Sequence, residues 1–143
     1  MRSLILVLGG VFCLAPAWAG AAPLDVGQTL KCRSSSPDKS LYVTIGRIET
    51  HTDGRIVVGV SLFNRAPKAA LPELAHTPIE AGALSASCPT LAETPIPLST
   101  RFEEGYQQWR SAKSRVFTIS VDRIYDIVVD QVAEARRGGP GVR

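Results

Sequence analysis

Histidine and cysteine are scarce in this chain, with two and three copies among 143 residues. That scarcity excludes most recurring catalytic centres. There is no G-x-S-x-G elbow, no glycine loop able to cradle a phosphate, no H-E-x-x-H and no paired cysteine cluster. The one metal-like spacing joins His76 and Glu80. His76, however, precedes the helix cap expected at Thr77, and Glu80 is expected to serve that cap. A catalytic zinc wants three protein ligands, so no metal and no cofactor is expected. Long runs of one charge sign are missing too. The 16 Lys and Arg are interspersed with 13 Asp and Glu, which argues against nucleic acid or an anionic membrane as partner. No internal repeat is visible.

The longest apolar run, Leu4 to Ala15, is shorter than the ~20 residues a spanning helix needs. Preceded by Met1-Arg2 and followed by Ala17-Trp18-Ala19, it has the form of a secretory signal peptide cleaved after Ala19 or Ala21. Lipidation at Cys13 is disfavoured because Phe12 stands where a small residue is needed. The sequence thus divides into a signal peptide over 1–21, one globular domain over 22–137 and a disordered tail over 138–143. Loss of Arg2 leaves a mature net charge of about +2. The expected location is the periplasm or the exterior, with no transmembrane segment in the mature chain. Cys32 and Cys88 then remain, and an even pair in an exported chain predicts a disulfide. Closing such a loop is worth ~4 kcal/mol in the chain-entropy account.

The organising stretch runs from Leu41 to Asn64. Leu41-Tyr42-Val43-Thr44-Ile45 and Ile56 to Phe63 are rich in β-branched and aromatic residues and free of proline, as strands prefer. A two-residue turn would mix charged and apolar residues on one face. A three-residue loop, Thr52-Asp53-Gly54 with Gly54 left-handed, sets Ile48 opposite Val58 and Thr44 opposite Leu62. That register gathers Ile48, Val58, Val60 and Leu62 on one face and Arg47 and Glu49 on the other.

Around this hairpin, Gln28 to Cys32 suits a short strand and Ala66 to Leu74 a covering loop. Thr77-Pro78-Ile79-Glu80 reads as a capping box opening a helix over 78–87. Thr90 to Leu98 is an extended connection. Thr100-x-x-Glu103 reads as a second capping box, opening a helix over 100–114 whose apolar stripe is Phe102, Tyr106 and Trp109. Val116 to Ile119 suits a buried strand, or alternates too little to decide. Ser120 caps a last helix over 120–136, with Asp122 at its positive end and Arg136 and Arg137 at its negative end. The expected fold is therefore α+β: a small antiparallel sheet built on a central hairpin, packed by about three helices and closed by one disulfide.

The stretch Phe102-Glu103-Glu104-Gly105-Tyr106-x-x-Trp109, with Val116-Phe117-Thr118-Ile119-Ser120 after it and His76-Thr77-Pro78-Ile79 before it, resembles small exported proteins of proteobacteria. The resemblance covers roughly the second half of the mature chain and implies no catalytic residue. Candidate binding residues are Trp109, Tyr106 and His76, because Tyr and Trp are amphipathic anchors that also stack on sugar rings. The same stripe would equally serve to bury the helix on the sheet. His51, beside the hairpin turn, reads as a solvated strand end. The expected function is an exported, non-catalytic binding module of the inhibitor, immunity or envelope-accessory kind, partnered by an envelope protein or component. The alternative is a small periplasmic hydrolase using His76 or His51 with a carboxylate.

Overall fold

A computed structural model describes residues 23–138 of the chain. The expected signal peptide lies outside the described residues, as does the expected tail beyond Gly138. The fold is α+β: a five-stranded antiparallel sheet, three helices and one disulfide, Cys32–Cys88. The strands are β1 (Thr29–Lys31), β2 (Leu41–Thr50), β3 (Ile56–Asn64), β4 (Glu73–Glu80) and β5 (Thr90–Leu91), in the spatial order β4-β3-β2-β1-β5. The helices are α1 (Ala81–Ser87), α2 (Phe102–Ala112) and α3 (Val121–Arg137). Among the described residues, no helix is long and apolar enough to cross a membrane.

The hairpin β2–β3 turns as the three-residue reading expects. His51 N–H donates to the Arg55 carbonyl, and Gly54 takes φ +85°, a left-handed value that glycine accepts without strain. Ile48 lies opposite Val58. Beyond that the expected register fails, because Val43 rather than Thr44 faces Leu62. The pairing slips between Ile45 and Arg47, so Gly46 is an extra residue in β2, a β-bulge. Its consequence is a change of phase. Leu41, Val43 and Ile45 point to one face, and Ile48 returns to that same face after the bulge. Arg47 and Glu49 are turned to the opposite one, and Thr44 faces that way opposite Ser61.

The two faces carry different layers. On the first, Val43, Ile45, Val58, Val60, Leu62 and Ile79 pack with Leu84 of α1 and with Val121, Ile124 and Tyr125 of α3 in one buried cluster. The disulfide joins this cluster and ties β1 to the C-terminal end of α1. Ser87 links the two helices, accepting from the Val121 N–H while donating to the Ala83 carbonyl. On the second face lies α2, with Phe102 and Tyr106 buried against β3 and β4. Beside it, Thr29 and Thr44 share a hydrogen bond and clip the 92–98 connection through the Ile96 backbone.

Three local expectations need correction. Thr77-Pro78-Ile79-Glu80 caps no helix. It is the end of β4, where Thr77 pairs with Val60 and Ile79 with Val58. Burying Ile79 completely and completing the ladder outweigh the local capping preference, and α1 starts only at Ala81, with no side-chain cap. The covering loop accordingly ends at Pro72, and β4 begins at Glu73. Thr100 likewise caps nothing: α2 starts at Phe102, and it is Ser99 that accepts the Phe102 N–H through its carbonyl and the Arg101 N–H through Oγ. Finally, 116–119 is no buried strand. Only Phe117 bridges to Ile79, in parallel, bonding the free edge of β4 at Pro78 and Glu80, while Ile119 is exposed. Ser120 does cap α3, accepting from the Arg123 N–H.

α2 can approach the sheet because of what lies beneath it. A Cβ built on Gly46 would sit 2.5 Å from Cζ of Phe102, and one on Gly59 would sit 3.3 Å from it. Gly46→Ala is therefore expected to destabilise the fold by roughly 1–3 kcal/mol through overpacking, less the ~0.4–1 kcal/mol that the stiffer unfolded chain returns. Urea unfolding monitored by circular dichroism measures it. A variant as stable as the parent would mean that the Phe102 ring does not rest on Gly46.

Candidate functional site

The stripe of α2 brings three aromatic residues over β2, β3 and β4, and they close around one histidine. His76 sits where β4 carries an additional residue, since Val60 pairs with Thr77 but Leu62 with Leu74, leaving Ala75 and His76 opposite Ser61. Ser61 donates to the Ala75 carbonyl there and so holds the irregularity in place. The bulge turns His76 toward α2. Its ring meets Phe102 and Tyr106 edge-on at 5.2 and 5.6 Å and Trp109 at 5.5 Å between centroids, within the range of favourable aromatic contact. Gly105 makes room, for a Cβ at that position would lie 2.8 Å from the His76 Cβ.

His76 Nε2 is buried and, among the described residues, has no hydrogen-bond partner. The space around it, bounded by Gly59, Pro78, Tyr106 and Trp109, is too tight for a water. Burial pushes the imidazole pKa down from 6.5 to about 4, against a weaker upward pull from Glu49 and Glu103. At neutral pH the ring is uncharged and packs as an aromatic.

Next to this cage lies a network that the Gly46 bulge delivers. Tyr106 donates its hydroxyl to Glu49 Oε1, and Arg47 Nε donates to the same oxygen at 2.7 Å. The Tyr106 hydroxyl, and after it Arg47, hold the Glu49 carboxyl below the usual carboxylate range; the same bond raises the phenol of Tyr106. The Arg47 guanidinium also lies over the Tyr106 ring, 4.1 Å from its centroid. His51 Nε2 approaches the other carboxylate oxygen at 3.9 Å, beyond hydrogen-bond range.

Arg47, Glu49 and His51 from the hairpin and Tyr106, Trp109, Arg110, Lys113 and Ser114 from α2 and its end line an open groove of about 490 Å³. Trp109 is half-buried at its rim, donating Nε1–H to the Arg115 carbonyl at 3.2 Å. Phe102 and Tyr106 face the sheet and Trp109 marks the edge of the covered area. Trp109, Tyr106 and His76, singled out from the sequence, are thus neighbours. His51 joins them at the groove, 6.3 Å from the Trp109 ring. Sequence reasoning missed Arg47 and Glu49, which it treated only as the polar side of a strand. The signal that could have found them is the switch of apolar phase across Gly46, from Leu41, Val43 and Ile45 to Ile48. Among the described residues, no three His, Cys, Asp or Glu side chains gather as metal ligands.

The unfolded chain protonates His76 near pH 6.5, and the fold does so only near 4. Between those values the unfolded state binds more protons, so stability falls as pH drops through that window, by at most about 1.4 kcal/mol per unit. Thermal melts from about pH 7 to about pH 5 should show this decline, and His76→Gln should flatten it. An unchanged slope in the variant would contradict the neutral buried ring.

No family model, curated protein or solved structure matches this chain.

Proposed function

We propose that the protein is an exported, non-catalytic binding module of the cell envelope, inhibitor-, immunity- or accessory-like, that recognises another envelope protein or component through the groove beside Trp109. The observation that carries this reading is the pairing of a half-buried tryptophan with an ordered polar wall, Arg47, Glu49 and Tyr106, at the mouth of a groove. Binding anchors are enriched in Trp, Tyr and Arg held in place by their surroundings. The Cys32–Cys88 disulfide supports an oxidising compartment.

The competing reading is a small periplasmic hydrolase, and one observation speaks for it. His51 lies 3.9 Å from a Glu49 oxygen at the groove. A working base would need a hydrogen bond to its carboxylate and a nucleophile within reach. Glu49 is instead engaged by Tyr106 and Arg47. His76 Nε2 faces a dry space and has no partner. The binding reading needs neither group to move.

Two variants separate burial from binding. Phe102→Ala should lower stability by roughly 3–5 kcal/mol, through lost burial and the cavity left behind. Trp109→Ala should cost clearly less stability but weaken capture of the partner by about 2 kcal/mol or more. Thermal melts, with quantitative pull-down from envelope extracts on each variant, provide the check. Equal, large losses of stability with unchanged capture would reduce Trp109 to core packing and remove the support for a binding face.

A further inference from the structure

Arg47 is held by two neighbours and opens onto the groove. Its Nε is paired to Glu49, and its plane rests on the Tyr106 ring. Its cross-strand partner is Gly59, over which the His76 and Phe102 rings pack. Among the described residues, its terminal nitrogens Nη1 and Nη2 have no hydrogen-bond acceptor, and the side chain is 40 % exposed. A guanidinium fixed this way presents a planar fork that takes a carboxylate or phosphate bidentately.

The surroundings add charge of the same sign. Arg110 and Lys113 line the groove with Arg47, and among the described residues Glu49 is the one carboxylate lining it. Lys113 is the C-terminal cap of α2 in a left-handed conformation, φ 49° and ψ 39°, where Gly or Asn is the usual occupant. A cation thus stands at a position where glycine would be the easier backbone. Along the whole chain 13 Asp and Glu are interspersed with the 16 Lys and Arg, a mixture that does not favour a polyanion as partner. At about 490 Å³ it has room for one or two side chains. Trp109 at the rim offers an apolar ring for a neighbour of the bound acid.

We infer that the groove receives an acidic side chain, Asp or Glu, of a protein partner, its carboxylate held by the Arg47 fork between Arg110 and Lys113 and its flanking apolar residue laid on Trp109. This rests on the binding reading above and specifies the partner's chemistry. The fork alone would also take a phosphate, but a phosphate dianion meets stronger repulsion from ionised Glu49 than a carboxylate does.

The test uses isotope-labelled protein, disulfide intact, titrated with the peptides Ac-Leu-Glu-Leu-NH2 and Ac-Leu-Gln-Leu-NH2 and, separately, with inorganic phosphate and glucuronate. The Glu peptide should shift the side-chain resonances of Arg47 Nε–H and Trp109 Nε1–H in a saturable way, and the Gln peptide should bind at least about tenfold more weakly. Arg47→Lys, which keeps the charge but loses the fork, should bind the Glu peptide about tenfold more weakly. Lys113→Gly should melt at or above the parent while also binding it more weakly, which separates the site from the fold. Raised salt should weaken every one of these contacts. Equal binding of the two peptides, parental affinity in Arg47→Lys, or tighter saturation by phosphate or glucuronate would each overturn the inference. Trp109-dependent capture of an envelope protein alongside such a result would leave the binding reading standing without its acidic ligand.

Discussion

One added residue in β2 governs the arrangement of everything on the α2 side of the sheet. Side chains alternate strictly along a strand, so Leu41, Val43, Ile45, Arg47 and Glu49 would all share a face in an unbroken ladder. Two charged residues would then turn to the face that α1 and α3 cover, and Ile48, exposed near the turn on that face, would turn away from it. The bulge at Gly46 resets the alternation, returning Ile48 to the core face opposite Val58 and sending Arg47 and Glu49 to the other face. Because the bulged residue is glycine, that face is also bare at the same point, and the Phe102 ring settles there. Phe102 in turn fixes the rotation of α2. One turn later, Tyr106 meets Glu49, and the next residue of the stripe, Trp109, arrives at the sheet's edge.

The energetic character of the two faces differs accordingly. The α1/α3 face is aliphatic and closed by the disulfide. The α2 face mixes aromatic packing with charge. It holds a buried imidazole nitrogen without a partner and an ion pair at an open groove. An unpaired buried polar atom costs stability, as does a left-handed lysine at a helix end. Both fall on the side that carries the candidate site, within a fold whose opposite face needs no such concession. Such a distribution is expected where one face holds the molecule together and the other meets a partner.

The sequence made the hairpin legible because its signals are local. Two β-rich runs flank Asp53-Gly54, and a three-residue loop separates charge from apolar side chains near the turn. The disulfide was legible by arithmetic once Cys13 was set aside, and the Phe102/Tyr106/Trp109 stripe by helical spacing. What escaped were features decided between elements. Thr77 to Glu80 carries a good capping pattern, but pairing with β3 buries Ile79 and wins. The Thr100 cap gives way to Ser99, whose own N–H is held by Ser61 from the sheet. The site escaped for the same reason. Tyr106 and Trp109 were visible as a stripe, but Arg47 and Glu49 join them only through a bulge. Its trace in the sequence is a change of apolar phase across one glycine.

The central claim is that Gly46 is an extra residue in β2 and that Phe102 rests on it. Cross-strand nuclear Overhauser contacts on the labelled protein test this directly, since each pairing brings specific backbone protons together. The account predicts contacts for Ile48 with Val58 and for Val43 with Leu62, which cannot coexist without one extra residue between Val43 and Ile48. It also predicts contacts from the Phe102 ring to the Gly46 α-protons. Pairing of Thr44 with Leu62, in a continuous register and without the ring contact, would contradict it.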